Sequence, residues 1–437
     1  MSAASSNATG LRTDFDIAVV GGGPVGVATA ALLAKYSGIA PARLALIAPE
    51  LAGPGISGTA LASGAAIATG APDLRVAALS RASEQVLRNA GAWTYLAQDR
   101  ICAYQRMRVW HESVPSDGPE VLVFNAAELA EANLGFIIEN RQLAAAGLAS
   151  FKQQGGQVLA ARVTRVDTDQ GAVRIVAGAD VTARLVVGAD GAQSRVRELL
   201  RLPVSAHEYG QSAIVATVAT AKPHQHTAWQ RFLRSGPLAL LPLFDGSCSI
   251  VWSAERALAE ELMTLTPGEF ATRLDAASDR VLGTTKLLSE RWAVPLRRAT
   301  ANRLIGPRVA LVGDAAHVIH PLAGQGVNLG FLDAAALGAV VAAGVAAGED
   351  PGAARLLLQY EQQRLTHNAL MSGSMSVFNQ VFSRGPGPAG WVAARLLGLA
   401  GISGTLRRGC ARLALGLSGE LPSLARKNLA PTSSLGA

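Results

Sequence analysis

"DIAVVGGGPVGVATAALLAKYSG", residues 16–38, reads as a short apolar run, a glycine turn and an Ala/Leu-rich helix that stops at Gly38. "RLALIAP", residues 43–49, follows as a second apolar run, so the two runs and the helix between them form a βαβ start to a parallel sheet. Within the turn, Gly21, Gly23 and Gly26 make a GxGxxG pattern. The first glycine allows the tight turn, the second lets a pyrophosphate approach the backbone, and the third lets the helix pack on the strand. An anion then meets the helix N-terminus. A dinucleotide site is the expectation, weighed against a merely glycine-rich turn in a chain with 46 glycines. An acidic residue should close the second strand and hold the adenosine ribose. Ala48 follows "LALI" instead, and the first carboxylate is Glu50. Either Glu50 reaches back from a shifted turn or the ribose is held in another way.

The 437 residues suffice for two domains, or for one large domain with an inserted second, and can bury a large core. Hydrophobic residues make up 49% and charged residues 16%, a composition suited to tight packing or to work beside a membrane. The net charge of +7 favours anionic partners. Arginines are scattered, no basic block carries interleaved aromatics, and only 5% of residues are aromatic, which argues against a nucleic-acid platform. Cys102, Cys248 and Cys410 lie far apart without a CxxC, so a reducing compartment is expected. The opening "MSAASSNATGLRTDF" has neither the basic start and apolar stretch of a secretory signal nor the arginines of a transit peptide, and reads as a short disordered leader. The longest uncharged stretch, "AAALGAVVAAGVAAG" from Ala334, falls short of the roughly 18 to 20 residues that span a bilayer, so no transmembrane helix is expected.

Further along, residues 51–70 are rich in Gly, Ala and Ser without period and read as a long loop. "SRASEQVLRNAGAW" predicts a helix capped by Ser80, with Glu84 near the capping-box position, stopped at Gly91. "RMRVWHES" and "EVLVFNA" alternate as strands, and "LGFIIENRQLAAAGLASF" passes from strand into helix. From about Glu208 to Trp252, short strands broken by Pro and Gly suggest an inserted antiparallel sheet. A parallel-sheet strand returns in "RVALVGDAA", and the chain after Leu329 is helical in tendency.

Two more motifs carry chemistry. In "VVGADGAQSRVREL", Asp190 and Gly191 follow an apolar strand, and the plain reading is a turn that caps the next helix. In "GDAAHVIHPLAGQGVNLG", residues 313–330, Gly313 and Asp314 end a strand, while Gly324 and Gly326 precede a helix. An Asp at a strand end can accept hydrogen bonds from a polyol, and bare glycine amides with a helix N-terminus can face the electron-rich end of a flat ring system. His317 and His320 beside Asp314 have the spacing of metal ligands, but Pro321 breaks the helix that would align them. They are read as structural or pocket-lining, with no metal.

Together with "DLRVAALS", "LGFIIENRQL", "YGQSAIVATV" and the tail "GLSGELPSLAR", these motifs resemble the flavoprotein aromatic hydroxylases, and within them the ubiquinone-biosynthesis monooxygenase family, from about Asp14 to Arg426. The resemblance implies an α/β fold: a Rossmann-like FAD-binding domain (14–100, 136–205, 299–360), an inserted, mainly antiparallel substrate domain (101–135, 206–298) and C-terminal helices (361–437). It implies FAD as cofactor, with Asp314 on the ribitol and the segment Pro321, Gly324, Gln325, Gly326, Val327 and Asn328 along the isoalloxazine. Asp190 is similar to an aspartate near the pyrophosphate, and Arg75 and Asn140 match positions that line the cofactor. The implied reaction is hydroxylation of a polyprenylated phenol with dioxygen and electrons from a reduced nicotinamide or another donor. Flavin carries that chemistry, so no catalytic side chain is named. Alternatives are a hydroxylase of another aromatic compound, a prenyl reductase, or a non-catalytic FAD-holding subunit. Two departures stand out: Ala48 and Gln230 occupy positions where the family pattern has Glu. The expected setting is cytoplasmic, peripheral to the inner face of the membrane and near other ubiquinone-biosynthesis proteins. The segment "GWVAARLLGLAGISGTLRRGCARLALGLSG" sets Arg395, Arg407, Arg408 and Arg412 among leucines, and reads either as an interfacial segment or as helices packed on the FAD domain.

Overall fold

The computed structural model describes residues 13–52, 70–169, 171–318, 326–365 and 421–427. The predicted loop at 53–69, His320, Pro321, Gly324, Gln325 and the arginine-bearing segment at 390–419 lie outside the described residues.

The βαβ start forms as read. Strand Phe15–Val20 leads through the glycine turn into helix Pro24–Tyr36, with Pro24 in the first turn, where its missing N–H costs nothing. The first strand pairs in parallel with Leu44–Ile47 on one side and Ala179–Gly188 on the other. Val309–Leu311 and Gln157–Leu159 extend the parallel set outward. All four residues of "LALI" are buried, as a strand covered on both faces requires. Helix Pro24–Tyr36 packs between helices Asn140–Gln153 and Gly326–Ala346. Its fully buried Leu32 and Leu33 each contribute about 1.5–3 kcal/mol of apolar burial.

Helix Gly326–Ala346 is long and apolar enough by length and composition to cross a membrane, and it starts well before the stretch counted from Ala334. Most of it is buried against the helix and strands of the parallel sheet, as befits a core helix. The extra length includes Asp333, which is accommodated because it is paired internally.

A second, nine-stranded sheet is mainly antiparallel and centres on the long strand Val204–Thr220, flanked by Cys248–Glu255 and Trp292–Ala301. One pairing departs from the antiparallel expectation: Arg106–His111 runs parallel to Thr227–Leu233. One face of this sheet (Ile214, Leu240, Ile250, Trp252) is covered by helices Arg256–Thr264 and Pro267–Ala277, through Leu262, Phe270 and Leu274. The other face (Ala228, Phe232, Ala239, Leu241) packs on Ala78, Tyr104 and Ile137 of a three-stranded sheet formed by Val76–Ser80, Gly135–Glu139 and Cys102–Tyr104. His317–Val318 pairs with Ala299 and Thr300, so the chain after Asp314 joins the edge of the nine-stranded sheet.

Helix Arg81–Asn89 is capped by Ser80, whose side chain accepts from the Ser83 amide. Glu84 does not close a capping box; it pairs with Arg81 at 2.5 Å and Arg88 at 2.9 Å along the helix face. A buried ion pair fastens the sheets together. Arg100 donates to Glu139 from Nη2 at 2.7 Å and Nε at 2.9 Å, and its guanidinium stacks 4.4 Å from the centroid of the Phe244 ring, in the turn joining strands Gly236–Pro242 and Cys248–Glu255 of the nine-stranded sheet. Glu139 also accepts from the Asp73 amide and from Gln142. Burial alone would raise its carboxyl, but these partners hold it below the usual value.

Cys102 and Cys248 are free and buried, and burial pushes their thiols up to about 11 and about 12. Neither should react in the native protein at pH 8 with a thiolate-trapping reagent, and both should react after denaturation. Peptide mapping of the alkylated protein checks this; rapid native labelling of either would contradict their enclosure.

Candidate functional site

The three parallel strands Phe15–Val20, Ala179–Gly188 and Val309–Leu311 deliver their C-terminal ends to one edge of the sheet, where ligands of such sheets are held. Gly21 stands at φ +122°, donates its amide to Ile47 O at 2.9 Å, and approaches Ala189 so closely that a Cβ would sit 2.3 Å from the Ala189 oxygen. At Gly26 a Cβ would fall 2.0 Å from Gly21 O, so only glycine lets the helix settle on the strand end. At Gly23 a Cβ would meet nothing within 4 Å. The helix N-cap at Gly23 receives no side-chain hydrogen bond, which leaves amide donors of the first turn turned toward that open space.

Ala48 is fully buried in the sheet, whereas Glu50, exposed in the turn after it, reaches back and accepts the Gly22 amide at 2.9 Å. Glu50 thus reaches back from the turn as far as the glycine loop.

Asp190 behaves as a helix cap. Its carboxylate accepts from Ser194 Oγ at 2.5 Å, Arg195 N at 2.6 Å and Val196 N at 3.0 Å, which orders the loop abutting the glycine turn. Arg197, one turn further, donates to Ala192 O at 2.9 Å and to Ala315 O at 2.8 Å, stitching this loop to the turn at Asp314.

Gly313, at φ +62°, lies within 3.1 Å (Cβ position) of Val25 on the first helix. Gly330 brings the Gly326–Ala346 helix equally close, its Cβ position 3.0 Å from Gly313 Cα. Asp314 is exposed by surface, yet protein encloses much of its surroundings. That burial pushes its carboxyl above the ordinary value; the charges of His317 and Arg75 oppose the shift and Asp333 adds to it. Arg75 thus stands in electrostatic reach of Asp314, and its carbonyl accepts the Asn140 amide at 2.9 Å. The Asn140 side-chain oxygen is buried without a partner.

Of the downstream segment, Gly326 opens the helix with open space at its Cβ position, and Val327 packs on the core. Asn328 is a clamp: its side chain accepts from Ser80 N at 2.9 Å and donates to Ala78 O at 2.8 Å, tying the start of the helix to the Val76–Ser80 strand.

Sequence reasoning passed over Asp333. Fully buried, it accepts from Gly313 N at 2.9 Å, His317 Nε2 at 2.6 Å and Arg364 Nε at 2.6 Å. Burial would raise its carboxyl; the charges of His317 and Arg364 and these hydrogen bonds hold it below the usual value. The signal was a single carboxylate amid the apolar run "FLDAAAL", a pattern that marks a paired buried charge. His317 Nε2 is thus committed to Asp333.

The residues suit FAD: an uncapped helix N-terminus with open space at Gly23 for the pyrophosphate, a carboxylate at the second strand, and Asp314 at the end of a third. Comparisons agree. A family model described as an FAD binding domain matches residues 127–372. The 3-demethoxyubiquinol 3-hydroxylase of Escherichia coli (strain K12) is 33% identical over 408 residues, covering 92% of this chain and 98% of that protein. The ubiquinone hydroxylase UbiL of Rhodospirillum rubrum is 34% identical over 420 residues, 94% and 92% of the two chains. Among solved structures, the p-nitrophenol 4-monooxygenase PnpA of Pseudomonas putida DLL-E4 superposes with a TM-score of 0.71 over 96% of this chain and 100% of that one, at 18% identity, which speaks to fold alone. The glycine turn, the Asp190 loop and the Asp314 turn meet at one sheet edge, and the relatives match along almost their whole length. The chain belongs to the FAD-dependent ubiquinone-biosynthesis monooxygenase family.

Proposed function

We propose that this chain is an FAD-dependent monooxygenase that hydroxylates the ring of a polyprenylated phenol in ubiquinone biosynthesis. The observation that carries the reading is identity of 33–34% to two relatives named as ubiquinol or ubiquinone hydroxylases, across more than nine-tenths of each. Bound and reduced, FAD activates dioxygen and supplies the oxygen atom that enters the ring. The chain's own part is to bind, to orient and to keep water out. Gly21, Gly23 and Gly26 shape the pyrophosphate turn, and Glu50 is placed to meet the adenosine ribose. Asp314 offers its carboxylate to the ribitol, and Arg75 and Asn140 stand by the same edge. Asp190 contributes by ordering its loop. Pro321, Gly324, Gln325, Gly326, Val327 and Asn328 remain assigned to the isoalloxazine side, Asn328 through the backbone position that its clamp fixes.

In the proposed division into FAD-binding and substrate parts, the nine-stranded sheet forms the substrate part and adjoins the Asp314 turn through the pairing of His317–Val318 with Ala299 and Thr300. Such a substrate resides in a bilayer, which supports a peripheral association with the membrane surface. A reductant and other proteins of the pathway complete the set of partners.

Purified protein should carry FAD that acid precipitation releases into the supernatant; flavin held in the pellet would contradict non-covalent binding. Asp314→Ala should weaken FAD binding by about 1.5–3 kcal/mol, the worth of a hydrogen bond to a charged group, and Gly23→Val should be worse because its side chain takes the pyrophosphate's space. In the wild type, affinity should fall as pH drops through the Asp314 value, which burial raises above the ordinary one. Fluorescence titration reads both, and an Asp314→Ala variant with unchanged affinity removes that residue from the site. Deleting the gene should make cells accumulate a prenylated precursor lacking one ring oxygen, detectable by mass spectrometry; unchanged ubiquinone with no such precursor would contradict the reading.

A further inference from the structure

Asp333 meets the residues expected to bind the cofactor at Gly313, whose amide its side chain accepts. Burying a carboxylate is costly, and an apolar residue of similar volume would serve stability at least as well at a site whose only purpose is packing. The three donors gathered on Asp333 share a different logic. Gly313 N and His317 Nε2 lie on either side of Asp314 in sequence, and both bond to the same oxygen, Oδ2. Asp333 itself stands on the helix that begins at Gly326. One side chain therefore ties the start of the 313–328 segment to the helix that ends it. Arg364, on the helical residues 354–365, pairs with Oδ1 and offsets the charge. The same helix reinforces the strand before the turn: Tyr360 donates to Leu311 O at 2.7 Å, and Glu361 accepts from Leu304 N at 2.8 Å.

We infer that Asp333 is a positioning residue for the flavin site: through Gly313 and His317 it holds the Asp314 turn in the conformation that binds FAD, without touching the cofactor. The inference rests on FAD binding at Asp314 as proposed above. A carboxylate suits the task because it accepts from a backbone amide, an imidazole and a guanidinium at once. An asparagine cannot, since its NH2 would face one of those donors.

The test compares FAD retention and melting temperature in purified holoprotein of the wild type, Asp333→Asn, His317→Leu, His317→Gln and Leu274→Ala. FAD release is read as the fluorescence gained on dilution. Leu274 is fully buried under the far face of the nine-stranded sheet, so Leu274→Ala reports a packing defect remote from the turn. Asp333→Asn and His317→Leu should raise the dissociation constant on the order of tenfold to a hundredfold, the range for hydrogen bonds to a charged group. His317→Gln, which keeps an N–H donor where Nε2 stood, should stay within about threefold of the wild type, since the charge-assisted bond is retained. Leu274→Ala should lower the melting temperature with the wild-type dissociation constant. Asp333→Asn and His317→Leu that lose thermal stability yet hold FAD as the wild type does would make Asp333 a packing element and overturn the inference. If Asp333→Asn fails to fold, the His317 pair decides: equal affinity in Leu and Gln variants overturns it. A wild-type chain that holds no FAD would instead bring down the cofactor assignment itself.

Discussion

Close backbone approach at one edge of the parallel sheet is the constraint on which the site depends. Gly21 against Ala189, Gly26 against Gly21, and Gly330 against Gly313 each bring main chain to within a distance that a Cβ would forbid. The helix N-terminus at Gly23, the Asp190 loop and the Asp314 turn are thereby collected around one space. Parallel strands make this possible, because their C-terminal ends all emerge at the same edge. Hydrogen bonds then fix what proximity permits: Arg197 joins the Asp190 loop to Ala315, and Asn328 joins the final helix to the Val76–Ser80 strand.

The charged groups near this edge fall into two kinds. Glu139 and Asp333 are buried and partnered on every side, and their carboxyls are held below the usual value. Asp314 is exposed, and the protein around it raises its carboxyl. A carboxylate whose burial is only partly offset by neighbouring charge is suited to meeting a ligand. The nine-stranded sheet is locked to the same region by a buried cluster in which Ala239, Leu241 and Phe232 join Ala78 of the strand that follows Arg75.

Much of this was legible in the sequence, because it is local. The glycine spacing, the alternation in "RMRVWHES" and the strand-to-helix passage at "LGFIIENRQL" each report the neighbours of a residue along the chain. Glu50 could be named but not placed, since reaching Gly22 depends on how the Pro49–Ala52 turn folds back. The parallel pairing of Arg106–His111 with Thr227–Leu233 was hidden because direction and register are set by segments more than a hundred residues apart. Arg197, Arg100 and Arg364 read as scattered surface cations until the fold supplied Ala315, Glu139 and Asp333. Asp190 shows the limit in the other direction: the plain capping reading accounts for its carboxylate completely.

The proposed reaction places one atom of dioxygen on the ring of a prenylated phenol. Deletion cells that have accumulated the precursor can be exposed to oxygen-18 gas as expression of the chain is induced, and the product analysed by mass spectrometry. The account predicts that each newly formed product molecule carries a single oxygen-18 atom on the ring. Conversion of the precursor with oxygen drawn from water, or with no ring oxygen gained, would contradict it.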